Sequence, residues 1–105
     1  MQEVVTFTQT EDTLTATLAC EIDHHTARTI RERVDKKLFI TKPRVLIFDF
    51  SPVSFMDSSG IGLILGRCAV CESIGTHVRI SGLSPRLMKL VRLAGIEKIK
   101  NLSIV

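Results

Sequence analysis

The stretch RVLIFDFSPVSFMDSSGIGLILGR, from Arg44 to Arg67, joins an apolar run, a polar loop and a second apolar run that contains glycines. Its first part, Arg44 to Phe50, is short and rich in strand-forming residues, which predicts a central strand covered on at least one side. Its last part predicts a helix from about Ser58 to Ser73, with Asp57 or Ser58 as the N-cap. A strand that leads directly into a helix indicates an α/β fold.

The rest of the chain continues this alternation of strands and helices. Val4–Thr8 and Thr13–Cys20 alternate apolar and polar residues on either side of the turn residues Glu11-Asp12, which predicts an opening hairpin. A helix is predicted after Asp23 and through Phe39, with Asp23 or Thr26 as the N-cap, because apolar residues recur there at spacings of three and four. The remaining predicted elements are a strand at Thr76–Ser81, a helix that starts at Ser84-Pro85 and a last short strand at Ile99–Val105. This order predicts a mixed sheet with helices packed on it and right-handed parallel crossovers.

The same patterns predict which helix faces are buried. The first helix should bury Ala27, Ile30, Val34 and Leu38, and the last should bury Leu87, Leu90, Val91 and Ala94. The glycines of the middle helix, Gly60, Gly62 and Gly66, are interpreted as positions that let this helix approach the sheet closely.

Composition limits the function classes. A length of 105 residues predicts one domain, and an apolar fraction of 45% with 24% charged residues is typical of ordinary globular proteins. Three cysteines, no basic leader before an apolar run and no long apolar stretch predict a reduced, cytoplasmic protein without membrane contact. The net charge of +3 comes from scattered basic residues, which favours solvated surface over a nucleic-acid interface.

The side chains with the clearest potential for catalysis, phosphate binding or modification are those of Asp57, Ser58 and Ser59. They could simply cap the helix, since the unpaired N–H groups at a helix start can donate hydrogen bonds to the oxygens of such side chains. A phosphate cradle is disfavoured, because the glycine spacing is G-x-G-x-x-x-G and no acidic residue follows the strand HVRIS. A hydrolase is disfavoured as well, because G-x-S-x-G is absent.

Two other patterns resemble metal or redox sites. Cys68 and Cys71 form C-x-x-C, but they fall about ten residues inside the predicted helix, where packing is the better interpretation than a reactive thiol or zinc. His24 and His25 beside Asp23 point in different directions, which makes joint chelation awkward. We therefore expect neither a metal nor a cofactor.

Two motifs together resemble a known family. EIDHHTA at Glu21–Ala27 and FMDSSGIGLILGR at Phe55–Arg67 are similar to the anti-sigma factor antagonists of the STAS domain class, with the sporulation members the most similar. The order of elements agrees over nearly the whole chain, which implies a single STAS domain over residues 1–105. Cys20 stands where the family usually has glycine, and family members commonly add a helix after the last strand.

The resemblance implies a regulatory binding protein rather than an enzyme. Such proteins bind an anti-sigma factor that is also a serine kinase, and thereby release a sigma factor. The kinase phosphorylates the first serine after the aspartate, here Ser58, and a serine phosphatase reverses the modification. The partner-binding residues implied are Asp23, His24, Asp57, Ser58, Ser59, Gly60 and Gly62.

Two other functions stay open from the sequence. One is a stand-alone STAS module in a stress-signalling assembly with different partners. The other is a small enzyme or nucleotide-binding protein that uses the Asp57–Gly62 loop.

Overall fold

The computed structural model describes residues 3–105, so residues 1 and 2 of the predicted domain lie outside the described part. The elements run in the predicted order of two strands and then three helices that alternate with strands. They are β1 (Val5–Thr10), β2 (Thr13–Leu18), α1 (His24–Thr41), β3 (Val45–Asp49), α2 (Ser58–Ser73), β4 (His77–Ser81), α3 (Pro85–Leu93), a 3-10 turn (Ile96–Lys98) and β5 (Leu102–Ile104).

The strands form one mixed sheet in the order β1-β2-β3-β4-β5. β1 pairs with β2 antiparallel through a tight turn, and β2, β3, β4 and β5 are parallel neighbours. Each parallel step needs a connection that returns the chain to the same end of the sheet, and α1, α2 and α3 provide those connections. The mixed sheet and the central place of β3 are both confirmed.

One face of the sheet carries the core. In β2 and β3, alternate residues are buried, such as Leu14 and Phe48, while their neighbours are half-buried. This alternation is the pattern of a sheet covered by helices on one face. The predicted stripe of α1 is confirmed in full, since its buried residues are Ala27, Ile30, Val34 and Leu38.

The predictions at the C-terminal end need correction. In α3, Leu87 and Val91 are buried as expected, but Leu90 is half-buried and Ala94 is exposed. The helix ends at Leu93, and the chain turns so that Ile96 is fully buried instead. The last strand spans only Leu102–Ile104, because the preceding residues form the 3-10 turn and a second turn at residues 100–101.

The interpretation that the α2 glycines allow close packing is correct for Gly60 and wrong for Gly62 and Gly66. A Cβ on Gly60 would overlap the side chain of Met56 and lie 3.3 Å from Ile22 Cγ2, so close approach requires glycine there. The close neighbours are loop residues rather than the sheet. A Cβ on Gly62 or Gly66 would meet no atom within 4 Å. Among residues 3–105, no helix combines the length and apolar character needed to cross a bilayer.

Candidate functional site

The N-termini of α1 and α2 lie side by side at the carboxyl ends of β2 and β3. An isolated parallel bridge pairs Ile22 with Met56, the residues directly before Asp23 and Asp57. The Ile22 N–H donates to Phe55 O at 3.0 Å, and the Asp57 N–H donates to Ile22 O at 3.0 Å. The bridge therefore holds the two helix-capping aspartates in neighbouring positions, and we call Asp23–Thr26 and Asp57–Gly60 the paired N-termini.

At the N-terminus of α1, backbone N–H groups donate hydrogen bonds to side chains of the same segment. Asp23 Oδ1 accepts hydrogen bonds from the N–H groups of His25 and Thr26, each at 2.9 Å. Thr26 Oγ1 accepts from the Asp23 N–H at 3.0 Å, which completes a reciprocal capping box. These contacts lower the pKa of the Asp23 carboxyl, with the Thr26 N–H hydrogen bond as the largest cause. The side chains of Asp23 and His24 are exposed to solvent.

The capping of the α2 N-terminus is less complete than that of α1. Asp57 is the N-cap, and its Oδ1 accepts only from the Ser59 N–H, at 2.8 Å. The Gly60 N–H donates to the Asp57 carbonyl at 3.0 Å. Among the described residues, the hydroxyls of Ser58 and Ser59 have no hydrogen-bond partner. Asp57 thus occupies N–H groups that a phosphate cradle would require, which disfavours nucleotide binding by the Asp57–Gly62 loop.

The structure brings the candidate residues to one end of the molecule but gives them different surroundings. Ser58 is exposed at the first position of α2, whereas Asp57 and Ser59 are half-buried. Gly60 is buried beneath the loop, and Gly62, two residues further along the helix, is exposed. The hydroxyl most accessible to a partner is therefore that of Ser58.

Comparison with known proteins identifies the family. The family model described as STAS domain matches residues 5–103, which is nearly the entire chain. The chain belongs to the STAS domain family. It is 32% identical over 87 residues to an anti-sigma F factor antagonist of Lysinibacillus sphaericus, covering 83% of this chain and 74% of that protein. It is 28% identical over 95 residues to an anti-sigma-B factor antagonist of Bacillus subtilis, covering 90% of this chain and 85% of that protein.

Solved structures agree with this assignment. The anti-sigma factor antagonist SpoIIAA in its unphosphorylated form superposes with a TM-score of 0.81 at 28% identity, over 96% of this chain and 87% of that chain. The phosphorylated form of the Bacillus SpoIIAA gives a TM-score of 0.74, also at 28% identity, over 96% of this chain and 90% of that chain. The resemblance stated from the two motifs is confirmed.

The STAS domain also buries a charged residue that the sequence analysis did not single out. Arg67 on α2 is only 6% exposed, and its Nε lies 2.9 Å from Asp35 Oδ1 on α1. Desolvation lowers the pKa of Arg67, while the Asp35 carboxylate opposes that shift. The helical pattern contained the signal, because Arg67 falls on the α2 stripe that also contains Gly60, Leu63, Ile64, Cys68 and Cys71.

The cysteines of the STAS domain pack as predicted. Cys68 and Cys71 are free thiols, 3% and 0% exposed, inside α2. Burial raises the pKa of Cys68 to about 11 and that of Cys71 to about 12, so both thiols stay protonated at neutral pH. Within residues 3–105, no cluster of histidine, cysteine or acidic side chains has the arrangement of a metal site.

Proposed function

We propose that this chain is an anti-sigma factor antagonist that binds an anti-sigma factor serine kinase through the paired N-termini. Phosphorylation of Ser58 switches the binding off, and a serine phosphatase restores it. The observation that carries the proposal is the Ile22–Met56 bridge, which places exposed Asp23 beside the loop that presents Ser58. The relatives named anti-sigma factor antagonists support the same role.

Ser58 has the properties of a modifiable serine. It is exposed and lies at the first position of a helix, where the backbone dipoles create positive potential. A phosphate there gains from that potential, so the domain can accept the modification without unfolding. One solved relative, described as a phosphorylated form, shows that a protein of this fold exists in such a state.

The charges at the paired N-termini give the physical reason why phosphorylation of Ser58 would weaken partner binding. A phosphate adds about −1.5 to −2 charges at neutral pH. The carboxylates of Asp23 and Asp57 already stand at the paired N-termini, so phosphorylation concentrates negative charge there. A partner surface complementary to the neutral hydroxyl and two carboxylates would then have to desolvate the phosphate without compensation.

The proposed role is regulatory, in the cytoplasm, and needs neither a cofactor nor direct nucleic-acid or membrane contact. The relatives include antagonists of both anti-sigma F and anti-sigma-B factors, so the sigma factor has to be decided by experiment. Affinities for kinase-type anti-sigma factors of both groups, measured side by side, would assign the protein to sporulation or to stress signalling.

The modification site can be tested by intact mass spectrometry. The protein is incubated with the anti-sigma kinase of its own source and ATP, and one phosphate per chain is expected. Ser58→Ala should take up none, whereas the matched variant Ser59→Ala should be labelled like the unmodified sequence. Efficient labelling of Ser58→Ala would place the modification elsewhere.

The role of Asp23 can be tested by titration with the same kinase. Asp23→Asn keeps an oxygen that can accept from the helix N–H groups but removes the charge. We expect a melting temperature close to that of the starting protein and clearly weaker binding. An unchanged affinity would show that the first motif is only structural.

A further inference from the structure

The strand β1 is an open edge of the sheet. Among residues 3–105, β2 is its only neighbouring strand, and the two pair residue for residue without a bulge. Its six residues include neither a charged side chain nor a proline. Proteins usually protect an exposed edge with a charge, a proline, a bulge or a very short strand, and the opposite edge strand β5 has only three residues. β1 therefore keeps a long, unprotected edge to which another extended segment can pair.

The ladder with β2 determines which backbone groups of β1 face this open edge. The Ala19 N–H donates to Val4 O at 2.9 Å, so the Val4–Ala19 pair is a hydrogen-bonded one. Hydrogen-bonded and non-hydrogen-bonded pairs alternate along an antiparallel ladder. The N–H and C=O groups of Val5, Phe7 and Gln9 therefore point away from β2, toward the open edge.

A groove lies beside β1 on the side of the sheet that α1 covers. Its volume is about 370 Å³, and it is lined by Phe7, Arg33, Lys36, Lys37 and Ile40. The Phe7 ring is half-buried, with the Arg33 guanidinium carbon 5.9 Å and Lys37 Nζ 5.6 Å from its centroid. Ile40 is 70% exposed. This surface, which we call the β1 groove, therefore combines an aromatic ring and an exposed aliphatic side chain with three cations.

The charge of the β1 groove is incompletely balanced. Arg33 Nη1 lies 2.7 Å from Glu3 Oε1, in a partly exposed ion pair. Lys36 and Lys37 are exposed, and within residues 3–105 neither forms an ion pair. The Glu3 contact shows that a carboxylate fits beside this surface, and the two lysines leave positive charge for further carboxylates.

We propose that β1 pairs with an extended acidic segment of another protein, which adds a sixth strand to the sheet. The backbone of that segment bonds to the edge-facing groups of β1, and its carboxylates meet Lys36 and Lys37. Because alternate residues of a strand lie on one face, the segment should carry acidic and apolar residues at alternate positions. A second copy of this chain fits less well, since antiparallel pairing of β1 with β1 would bring the lysines of both copies onto one face.

The β1 groove is separate from the paired N-termini. Asp23 caps the first turn of α1, whereas Lys36 and Lys37 lie in its last two turns. At 1.5 Å per residue, this separation is about 20 Å along the helix axis. Pairing at β1 therefore goes beyond the proposed antagonist role and can be tested without the kinase.

The first experiment uses this chain and a synthetic peptide. The probe is a nine-residue peptide of alternating glutamate and valine, blocked at both ends and titrated at constant ionic strength. We expect saturable amide NMR shifts along β1, with a dissociation constant on the order of 100 μM. Hydrogen exchange should slow at Val5, Phe7 and Gln9. It should change little at Thr6 and Thr8, whose backbone groups already face β2.

Charge complementarity is tested with two matched double variants. Lys36→Gln with Lys37→Gln should weaken peptide binding about fivefold, since two exposed partners of the carboxylates are removed. Lys98→Gln with Lys100→Gln removes the same charge beside β5, at the opposite edge of the sheet, and should bind the peptide unchanged. All four lysines are exposed, so we expect both variants to fold, which their amide spectra verify.

Backbone pairing is tested on the peptide, so that the protein stays unchanged. Methylation of the peptide nitrogens on the edge that faces β1 removes their N–H donors and should abolish binding. Binding undiminished by this methylation, no saturable shifts along β1, or equal binding by the Lys36/Lys37 variant and the unmodified protein would each overturn the proposal. A dimer in sedimentation that the peptide dissociates would also overturn it, because the edge would then belong to a second copy.

A last control separates this inference from the proposed function. Asp23→Asn, which should weaken kinase binding, should bind the peptide with unchanged affinity, because Asp23 lies at the other end of α1. Failure of the peptide to bind would leave the antagonist role untouched. Failure of the kinase to bind would likewise leave the pairing at β1 untouched.

Discussion

The two helix N-termini at the site begin with the same residue and complete their capping differently. Asp23 accepts two backbone hydrogen bonds and is paired reciprocally with Thr26. Asp57 accepts one, from Ser59, and the position equivalent to Thr26 is the buried Gly60. Side chains of its own segment cap the start of α1. The start of α2 instead has a glycine packed against Met56 and two serine hydroxyls that find no hydrogen-bond partner within residues 3–105.

The difference distinguishes a fully capped helix N-terminus from the one at which we propose that Ser58 is modified. A complete capping box leaves few groups for a ligand, so Asp23 offers only its exposed charge. At α2, a side chain in place of Gly60 would displace Met56, so no Thr-like residue can complete a box there. Close packing of Gly60 thus leaves α2 without a capping box, directly beside the exposed Ser58.

The largest expected effect is that of phosphate on Ser58. It should weaken binding of the kinase-type anti-sigma factor about a hundredfold, or roughly 3 kcal/mol, because negative charge is added beside two carboxylates at the interface. The melting temperature should change little, since the phosphate lies at the positive end of α2. Calorimetric titration and thermal melting measure the two quantities. Equal affinities, or a collapse of the fold on phosphorylation, would contradict the prediction.

The next largest effect is a difference in unfolding free energy between alanine substitutions at two glycines of α2. Gly60→Ala should lower the free energy of unfolding by about 1–3 kcal/mol, because the added methyl overlaps the buried Met56 side chain. Gly62→Ala meets open space and should raise the free energy of unfolding by about 0.5–1 kcal/mol, through lower backbone entropy in the unfolded chain. Urea denaturation measures both. Similar values for the two variants would show that Gly60 is not under packing constraint.

A smaller effect is expected from removing either cap. Asp57→Ala should lower the free energy of unfolding by about 1 kcal/mol, since one side-chain hydrogen bond to the helix is lost. Asp23→Ala should lower it further, because two hydrogen bonds and the capping box are lost together. The corresponding Asn variants, which retain an accepting oxygen, are the controls. If Asp57→Ala lost more unfolding free energy than Asp23→Ala, the expectation that α1 is the more completely capped helix would be wrong.

The smallest effect is the pH dependence of the Asp23 cap, whose carboxylate is fully exposed. Its pKa in the folded protein lies below the ordinary value of 3.8. The charged form therefore stabilises the fold above the unfolded pKa, and this stabilisation is lost as pH falls through the lowered folded pKa. The stability difference between the unmodified protein and Asp23→Asn should be constant down to about pH 5 and should shrink at lower pH. Thermal melts across this range test the sign, and a difference that grows in acid would contradict it.

Local patterns were sufficient to predict most of the fold. The bounds of α2 and the buried stripe of α1 could be read directly, because helical periodicity and N-cap residues act within a few positions along the chain. The hairpin and the central strand β3 followed from alternation and apolar content. The end of α3 was less predictable, since Ala94 and Ile96 are both apolar and only the turn at Gly95 determines which one is buried.

The sequence by itself determined the elements of this STAS domain, the aspartate at each of two helix starts and the exposed serine that follows the second. The tertiary structure alone decided that these starts are neighbours, because the Ile22–Met56 bridge joins segments separated by all of α1 and β3. It also decided that Gly60 is packed while Gly62 is open, and that Arg67 is buried against Asp35. The reason is physical: propensity and periodicity act along the chain, whereas burial and charge pairing depend on which surfaces the packed helices bring into contact.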